Sequence, residues 1–363
     1  MSSTSTFILS VIGLLCICKF SGKQLVGWPK RFLYGFASVR CIWRIVPVNK
    51  GRWLLGLATC IGIVGLYFTF STLDTGLLWE LYLSMNGGWM TMFAFVAVAM
   101  IVSFTGIWWV LLRPFDQTQS FFALFNARMA GFSMSYLTPG PRVGGEVVRV
   151  KLLEGSDTPV ILASSVVEKI VLFVSGVLFV AAGLFVAPLF FEGVARIWLY
   201  ALAGVLITVA VLSWIRSGQG FSALFDWVKE SALVPDKYVD HIESFQSVFS
   251  SYFYAHRRAA LLALLVAVWC KALLVLQVYL LLGTFGVPLS FQTAFFLALG
   301  IEVAYAVPSY MGLGFLEGGQ ASLTAALAIA PVLGLAVALL VRARDLSASA
   351  YGVSVMAVST YYE

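Results

Sequence analysis

Residues 138–151 read Thr-Pro-Gly-Pro-Arg-Val-Gly-Gly-Glu-Val-Val-Arg-Val-Lys, a polar, helix-breaking stretch set between apolar segments. Pro139 and Pro141 cannot continue a helix, while Gly140, Gly144 and Gly145 allow a sharp turn or a close backbone approach. Arg142, Glu146, Arg149 and Lys151 crowd the same place, with Glu154 one turn on. A helix restarting at Gly145 or Glu146 sets Arg142 and Arg149 about two turns apart on one side, near an N-terminus that itself favours anions. The stretch reads as a broken helix with the outline of an anion site.

The surrounding chain says what kind of medium holds that break. Of 363 residues 61% are hydrophobic and 11% charged, and the mean hydropathy is +0.94. That is too little charge to cover a water-facing surface. The uncharged runs 53–72, 89–112, 170–191, 197–215 and 318–341 each approach or exceed the ~20 residues with which a helix spans a bilayer. Barrel strands would be shorter and would alternate. The expectation is an all-α polytopic membrane protein of about seven to nine transmembrane helices, two Pro/Gly-broken segments being re-entrant.

The net charge of +6 comes from basic residues gathered at membrane edges, which the positive-inside rule explains without nucleic acid. Between Lys19 and Arg52 lie eight bases and no acid, interleaved with Trp28, Phe32, Tyr34, Phe36 and Trp43. Residues 1–52 therefore read as a cytoplasmic, partly interfacial segment facing lipid headgroups, so the N-terminus is expected inside a multi-pass protein of the cell (inner or plasma) membrane. The apolar run Phe7 to Cys18 is too short to count as a span. The five cysteines, an odd number without paired ligand spacing, read as free thiols. Both histidines, His241 and His256, fall in one polar loop, which argues against a histidine-based hydrolase.

A second break, Pro308 to Gly319, repeats the grammar of the first: an apolar segment with a charge inside it, proline, glycines, then a glutamate opening the next helix. The pairs are Glu146 and Glu317. This predicts one membrane domain, 53–363, of two pseudo-repeats, about 53–215 and 259–363, with an inverted relation between them and a central site. The link, residues 216–258, carries an apolar stripe at Ile242, Phe245, Phe249 and Tyr252, read as a cytoplasmic helix lying on the bilayer. Placing residues 121–137 across the membrane would put Arg142, Arg149 and Lys151 outside, against the charge rule; a re-entrant pair turning at Pro139 removes the conflict. In the second half, 318–341 reads as one span leading to Arg342, Arg344 and Asp345 on the inner side, and 346–361 as the last.

Charges inside apolar segments must pair or face a wet cavity. The candidate substrate-binding residues are Arg128, Arg142, Gly144, Gly145, Glu146, Arg149, Glu168, Lys271, Glu302 and Glu317. The bases suit a phosphate or glycophosphate; the glutamates suit gating or coupling. Internal salt bridges holding broken helices together are the competing structural reading.

At its two breaks the chain resembles the flippase-like membrane region of the lysylphosphatidylglycerol synthase family. The resemblance rests on Thr138, Pro139, Arg142, Gly144, Gly145, Glu146, Arg149, Leu152 and Leu153, then Ala163, Ser164, Val166 and Glu168. At the second break it rests on Pro308, Gly312, Gly314, Glu317 and Gly318, with Arg342 beyond. It spans roughly residues 50–360; Val147 stands where many members carry proline, and the first fifty residues have no counterpart. The resemblance implies an all-helical region that moves or houses lipids, here the translocating half alone, since no aminoacyl-transferring domain follows.

The expected activity is translocation of an anionic phospholipid or glycolipid between leaflets, with membrane lipids as partners, a separate lipid-modifying enzyme as a further candidate, and homo-oligomerisation open. An intramembrane transferase on a lipid-linked substrate and a non-transporting scaffold or regulator are the alternatives. No Asp-x-Asp pair, histidine or cysteine nucleophile arrangement, or phosphate-cradling loop is present in the sequence. The protein is therefore read as no enzyme, with no cofactor and no metal.

Overall fold

A computed structural model describes residues 49–73, 75–115, 119–137, 144–153, 157–187, 239–288, 290–307 and 312–362. The basic N-terminal segment before residue 49, Arg142 and the proline turn around it, the return span near 195–215 and the first part of the 216–258 link lie outside the described residues. Every regular element among the described residues is a helix. In chain order these are α1 (Asn49–Thr72), α2 (Thr75–Leu83), α3 (Gly87–Leu112), α4 (Phe121–Leu137), α5 (Gly144–Leu152) and α6 (Thr158–Val186). Then come α7 (Val239–Tyr254), α8 (Arg257–Thr284), α9 (Phe291–Ala306), α10 (Phe315–Ala326) and α11 (Pro331–Tyr362).

Three stretches, Gly87–Phe115, Thr158–Val186 and Arg257–Thr284, are long and apolar enough to cross a membrane. Cys60–Thr72 and Gly76–Leu83 form a further apolar pair, bent by 83°. Large apolar side chains such as Phe95, Phe173, Leu265 and Trp269 point outward from these helices, as a lipid-facing surface requires. Local chemistry sets several boundaries. Asn86 caps α3 by accepting from the Gly88 and Trp89 N–H groups, Ser290 caps α9 through Thr293, and Pro159 stands in the first turn of α6.

Helix packing follows glycine. The long helices α3 and α8 run antiparallel: the Asn86 N–H donates to the Thr284 carbonyl, Trp89 lies on Gly283, and the Gln277 amide reaches Met100. In the same way α4 and α11 cross where Gly352 meets the Met129 carbonyl and Ser133 donates to the Ser349 carbonyl at 2.8 Å. A side chain on Gly62 of α1 would stand 2.1 Å from the Leu313 carbonyl oxygen, so that glycine packs within this chain, on the second break. The contacts of α5 with α4 run in opposite chain directions, Gly131 with Arg149 and Ser135 with Gly145, so α5 folds back along α4. Likewise α10 returns along α9, where Gln320 sits on Gly300 and donates to the Leu297 carbonyl at 3.0 Å.

Two expectations are corrected. The uncharged run 318–341 is not one span. The helix ends at Ala326, Ala328 takes a φ of 57°, and α11 begins afresh at Pro331, so a break without charge is invisible to hydropathy. Arg342, Arg344 and Asp345 consequently lie inside α11, Arg342 and Asp345 both buried, and not in a loop between spans. The stripe of α7 does not lie on the bilayer. Phe245, Phe249 and Tyr252 are buried against the bundle, α7 packs on α6 and α8, and the Tyr252 hydroxyl donates to the Leu111 carbonyl at 2.7 Å. An apolar stripe marks a buried face without naming the medium that buries it.

The crossing at Gly352 yields a test. A methyl there would meet backbone at 2.1 Å, whereas Gly106 in α3 has open space around it. Gly352→Ala should cost about 1–3 kcal/mol from overpacking, and Gly106→Ala should be neutral or stabilising by up to about 1 kcal/mol. Thermal unfolding of the two variants in detergent, read side by side, checks the ordering.

Candidate functional site

The first break gathers five ionisable side chains from three helices. Glu168 of α6 accepts from Arg128 of α4 on one oxygen and from Arg149 of α5, at 2.9 Å, on the other. Arg149 also approaches Glu146 at 3.4 Å, and Glu146 pairs with Lys169 of α6 at 2.9 Å. The result is a ladder, Arg128 to Glu168 to Arg149 to Glu146 to Lys169, with three cations and two carboxylates. Both carboxylates are almost wholly enclosed, while Lys169 keeps 38% of its side chain exposed. Each base touches a carboxylate, and the ladder as a whole carries one net positive charge among the described residues.

Why the sequence builds the ladder here is local. Gly131 leaves a groove into which the Arg149 stem fits, since a side chain at 131 would come within 2.8 Å of it. Gly145 lies against the Gly131 carbonyl, and its N–H is taken by the Ser135 hydroxyl at 3.1 Å. The start of α5 thus spends one donor on α4 instead of holding it for a ligand. Trp108 of α3, fully buried, lies under the Arg149 guanidinium at 5.0 Å and donates to the Ser164 hydroxyl at 2.9 Å. Arg149 Nε is buried with no hydrogen-bond partner among the described residues.

The second break holds its glutamate differently. Glu317, the third residue of α10, accepts from the Gly314 N–H at 2.9 Å and from Arg342 of α11 through Nε at 2.8 Å and Nη2 at 3.4 Å. Arg342 also donates to the Tyr136 hydroxyl of α4 at 3.3 Å, which ties the C-terminal end of α4 to the second break. Gly314 has φ +77° and sits on the Gly62 backbone, so no other residue fits there. Beside it, Arg344 holds Asp345 at 2.9 Å and Gln277 at 2.6 Å, and the Tyr305 hydroxyl donates to Asp345. Lys271 of α8 pairs with Glu302 of α9 at 2.6 Å, beside Gly176 of α6.

Of the residues singled out from sequence, Arg128, Gly145, Glu146, Arg149 and Glu168 come together in one ladder; Gly144 opens α5. Lys271 and Glu302 form a separate pair, Glu317 belongs to the second break, and Arg142 lies outside the described residues. Sequence reasoning counts Lys169 only as a buried charge in need of a partner, without naming that partner, and misses Trp108, Tyr136, Tyr305, Gln277, Arg344 and Asp345 as members of these networks. A signal for Lys169 exists: it is the twelfth residue of α6 and Arg342 the twelfth of α11, each facing the glutamate third in the preceding short helix. Trp108 carries no such mark, because an aromatic at the end of a span is ordinary.

Removing one member of a buried pair strands the other charge, at a typical cost of about 3–5 kcal/mol. Glu317→Gln and Arg342→Gln should each destabilise by that order, and the double variant by clearly less than the sum. A double-mutant cycle on thermal unfolding tests this; additive losses would contradict the pairing.

No curated protein and no solved structure matches the chain. Residues 53–350 match the family described as the lysylphosphatidylglycerol synthase TM region. That match takes in both breaks, the ladder and the Glu317 site, and on its strength the chain belongs to the lysylphosphatidylglycerol synthase TM region family of membrane proteins.

Proposed function

We propose that the protein translocates an anionic phospholipid or glycolipid between leaflets, the headgroup passing the ladder at the first break while the acyl chains stay against apolar helices. The observation that carries this reading is the surplus cation. Three bases, of which Lys169 is partly exposed, face two enclosed carboxylates, and the buried Arg149 Nε has no acceptor among the described residues. A net charge held inside a bilayer is costly, and a monoanionic phosphate would neutralise it while supplying the missing acceptor. Trp108 beneath the guanidinium would hold the arginine plane in place for such a contact. Membership of a lipid-related membrane family supports the same reading.

The second reading is a non-transporting scaffold, favoured by the fact that each ladder carboxylate already has two cationic neighbours. The two differ in what Arg149 is for. In proteoliposomes carrying a fluorescent anionic phospholipid, leaflet exchange read by dithionite quenching should be fast with the wild-type chain. Arg149→Ala should slow it roughly ten- to hundredfold, the worth of a charged hydrogen bond of about 1.5–3 kcal/mol. Lysine at 149 should restore only part of the rate, since a point charge cannot replace a planar fork. Equal loss of folded protein and of exchange would favour the scaffold.

A further inference from the structure

The Lys271 and Glu302 pair differs from every other buried ion pair described above. The Glu146, Glu168 and Glu317 side chains are 2%, 2% and 3% exposed, whereas Glu302 keeps 26% of its side chain accessible. The other three glutamates each hold two cations or one forked arginine; Glu302 holds a single lysine through one contact at 2.6 Å. A lysine is a point charge on a flexible stem and can be drawn away from its partner. Glycine makes the arrangement possible, because a side chain at Gly176 would stand 2.6 Å from the Glu302 oxygen.

Among the described residues, the contacts given around Glu302 bring no second charge to it. From α8 it faces Lys271; from α6 it faces Gly176; α10 turns the neutral amide of Gln320 toward Gly300; and Tyr305, further along α9, is occupied with Asp345 of α11. A carboxylate parted from its cation in a low-dielectric setting has one route to neutrality, the uptake of a proton. Gly176 is also eight residues along α6 from Glu168, roughly 12 Å at 1.5 Å per residue. The pair therefore abuts α6 roughly 12 Å along that helix from Glu168 of the ladder.

We propose that Glu302 is the proton carrier of a proton-coupled lipid translocation cycle, an inference that rests on the translocation reading above. An anionic headgroup leaving the ladder displaces Glu302 from Lys271. The carboxylate takes up a proton from water, and the ammonium passes to the phosphate. When the lipid departs, Glu302 releases the proton and re-forms its pair. The charges balance throughout: Lys271 faces one anion at each stage, and one proton travels with each monoanionic lipid. Transport is electroneutral, driven by a pH gradient and indifferent to membrane potential.

The test uses proteoliposomes with a fluorescent monoanionic phospholipid and an internal pH dye. Acid outside should speed inward lipid movement several-fold and acidify the lumen as lipid enters, while a potassium-valinomycin potential alone should change nothing. Glu302→Gln should abolish the response to the pH gradient. Gly176→Ala, which displaces the carboxylate without removing its charge, should weaken it. In parallel, infrared difference spectra of the protein in nanodiscs should show a protonated carboxyl band on exchange of zwitterionic for anionic lipid, absent in folded Glu302→Gln. Lipid movement insensitive to the pH gradient overturns proton coupling and leaves translocation standing; a response to potential overturns the electroneutral stoichiometry. Lipid movement absent from every chain overturns translocation and the coupling with it. Lack of the carboxyl band in folded wild-type protein overturns the role of Glu302 whether or not lipid moves.

Discussion

A charge taken out of water must find its opposite close by, and that constraint organises this protein more than apolar packing does. Glu168 meets it twice over, standing between Arg128 and Arg149 so that α4, α5 and α6 are pinned at one point. Oil-like side chains have no preference between lipid and protein neighbours, so within a bilayer they cannot by themselves say which helix belongs beside which. Ion pairs and hydrogen bonds can. The glycines serve the same end. Gly131 admits the Arg149 stem, Gly176 the Glu302 carboxylate, and Gly314 lends Glu317 its backbone N–H. At these contacts a residue without a side chain makes the space or lends its backbone.

The order long helix, short helix, break, short helix, long helix occurs twice, in α3 to α6 and in α8 to α11. Within that shared order the two glutamates meet different chemistry. Glu146 is shared between an arginine of its own helix and a partly exposed lysine, inside a network that carries excess positive charge. Glu317 is closed by a forked arginine, a tyrosine contact and a backbone N–H, with acid and base in balance. Among the described residues one break carries a net positive charge and the other is balanced.

Much of the frame was legible because hydropathy and the proline and glycine positions respond to forces that act locally. The helical class, the break at 138–143, α8 and the helix-opening glutamates all follow from residues read over one or two turns. The failures share a cause. The turn at 327–330 is apolar, so nothing in composition separates it from the span it interrupts. The α7 stripe was read as lipid-facing because amphipathicity has no term for what lies opposite. Lys169 escaped as a partner of Glu146 because a pairing 23 residues away depends on how two helices fold back, which no local window contains. The same holds for Tyr136, which reaches Arg342 from the far side of the first break.

The meeting of Gly62 with Leu313 and Gly314 joins parts of the chain that are made at very different times. A ribosome adding 5–20 residues per second needs roughly 10 to 50 s to travel between them. Until the second break is made, Gly62 has no such partner. The left-handed Gly314 then closes on the Gly62 backbone. The first described helix is thus held by a turn made late in synthesis, and that contact cannot form until most of the chain exists.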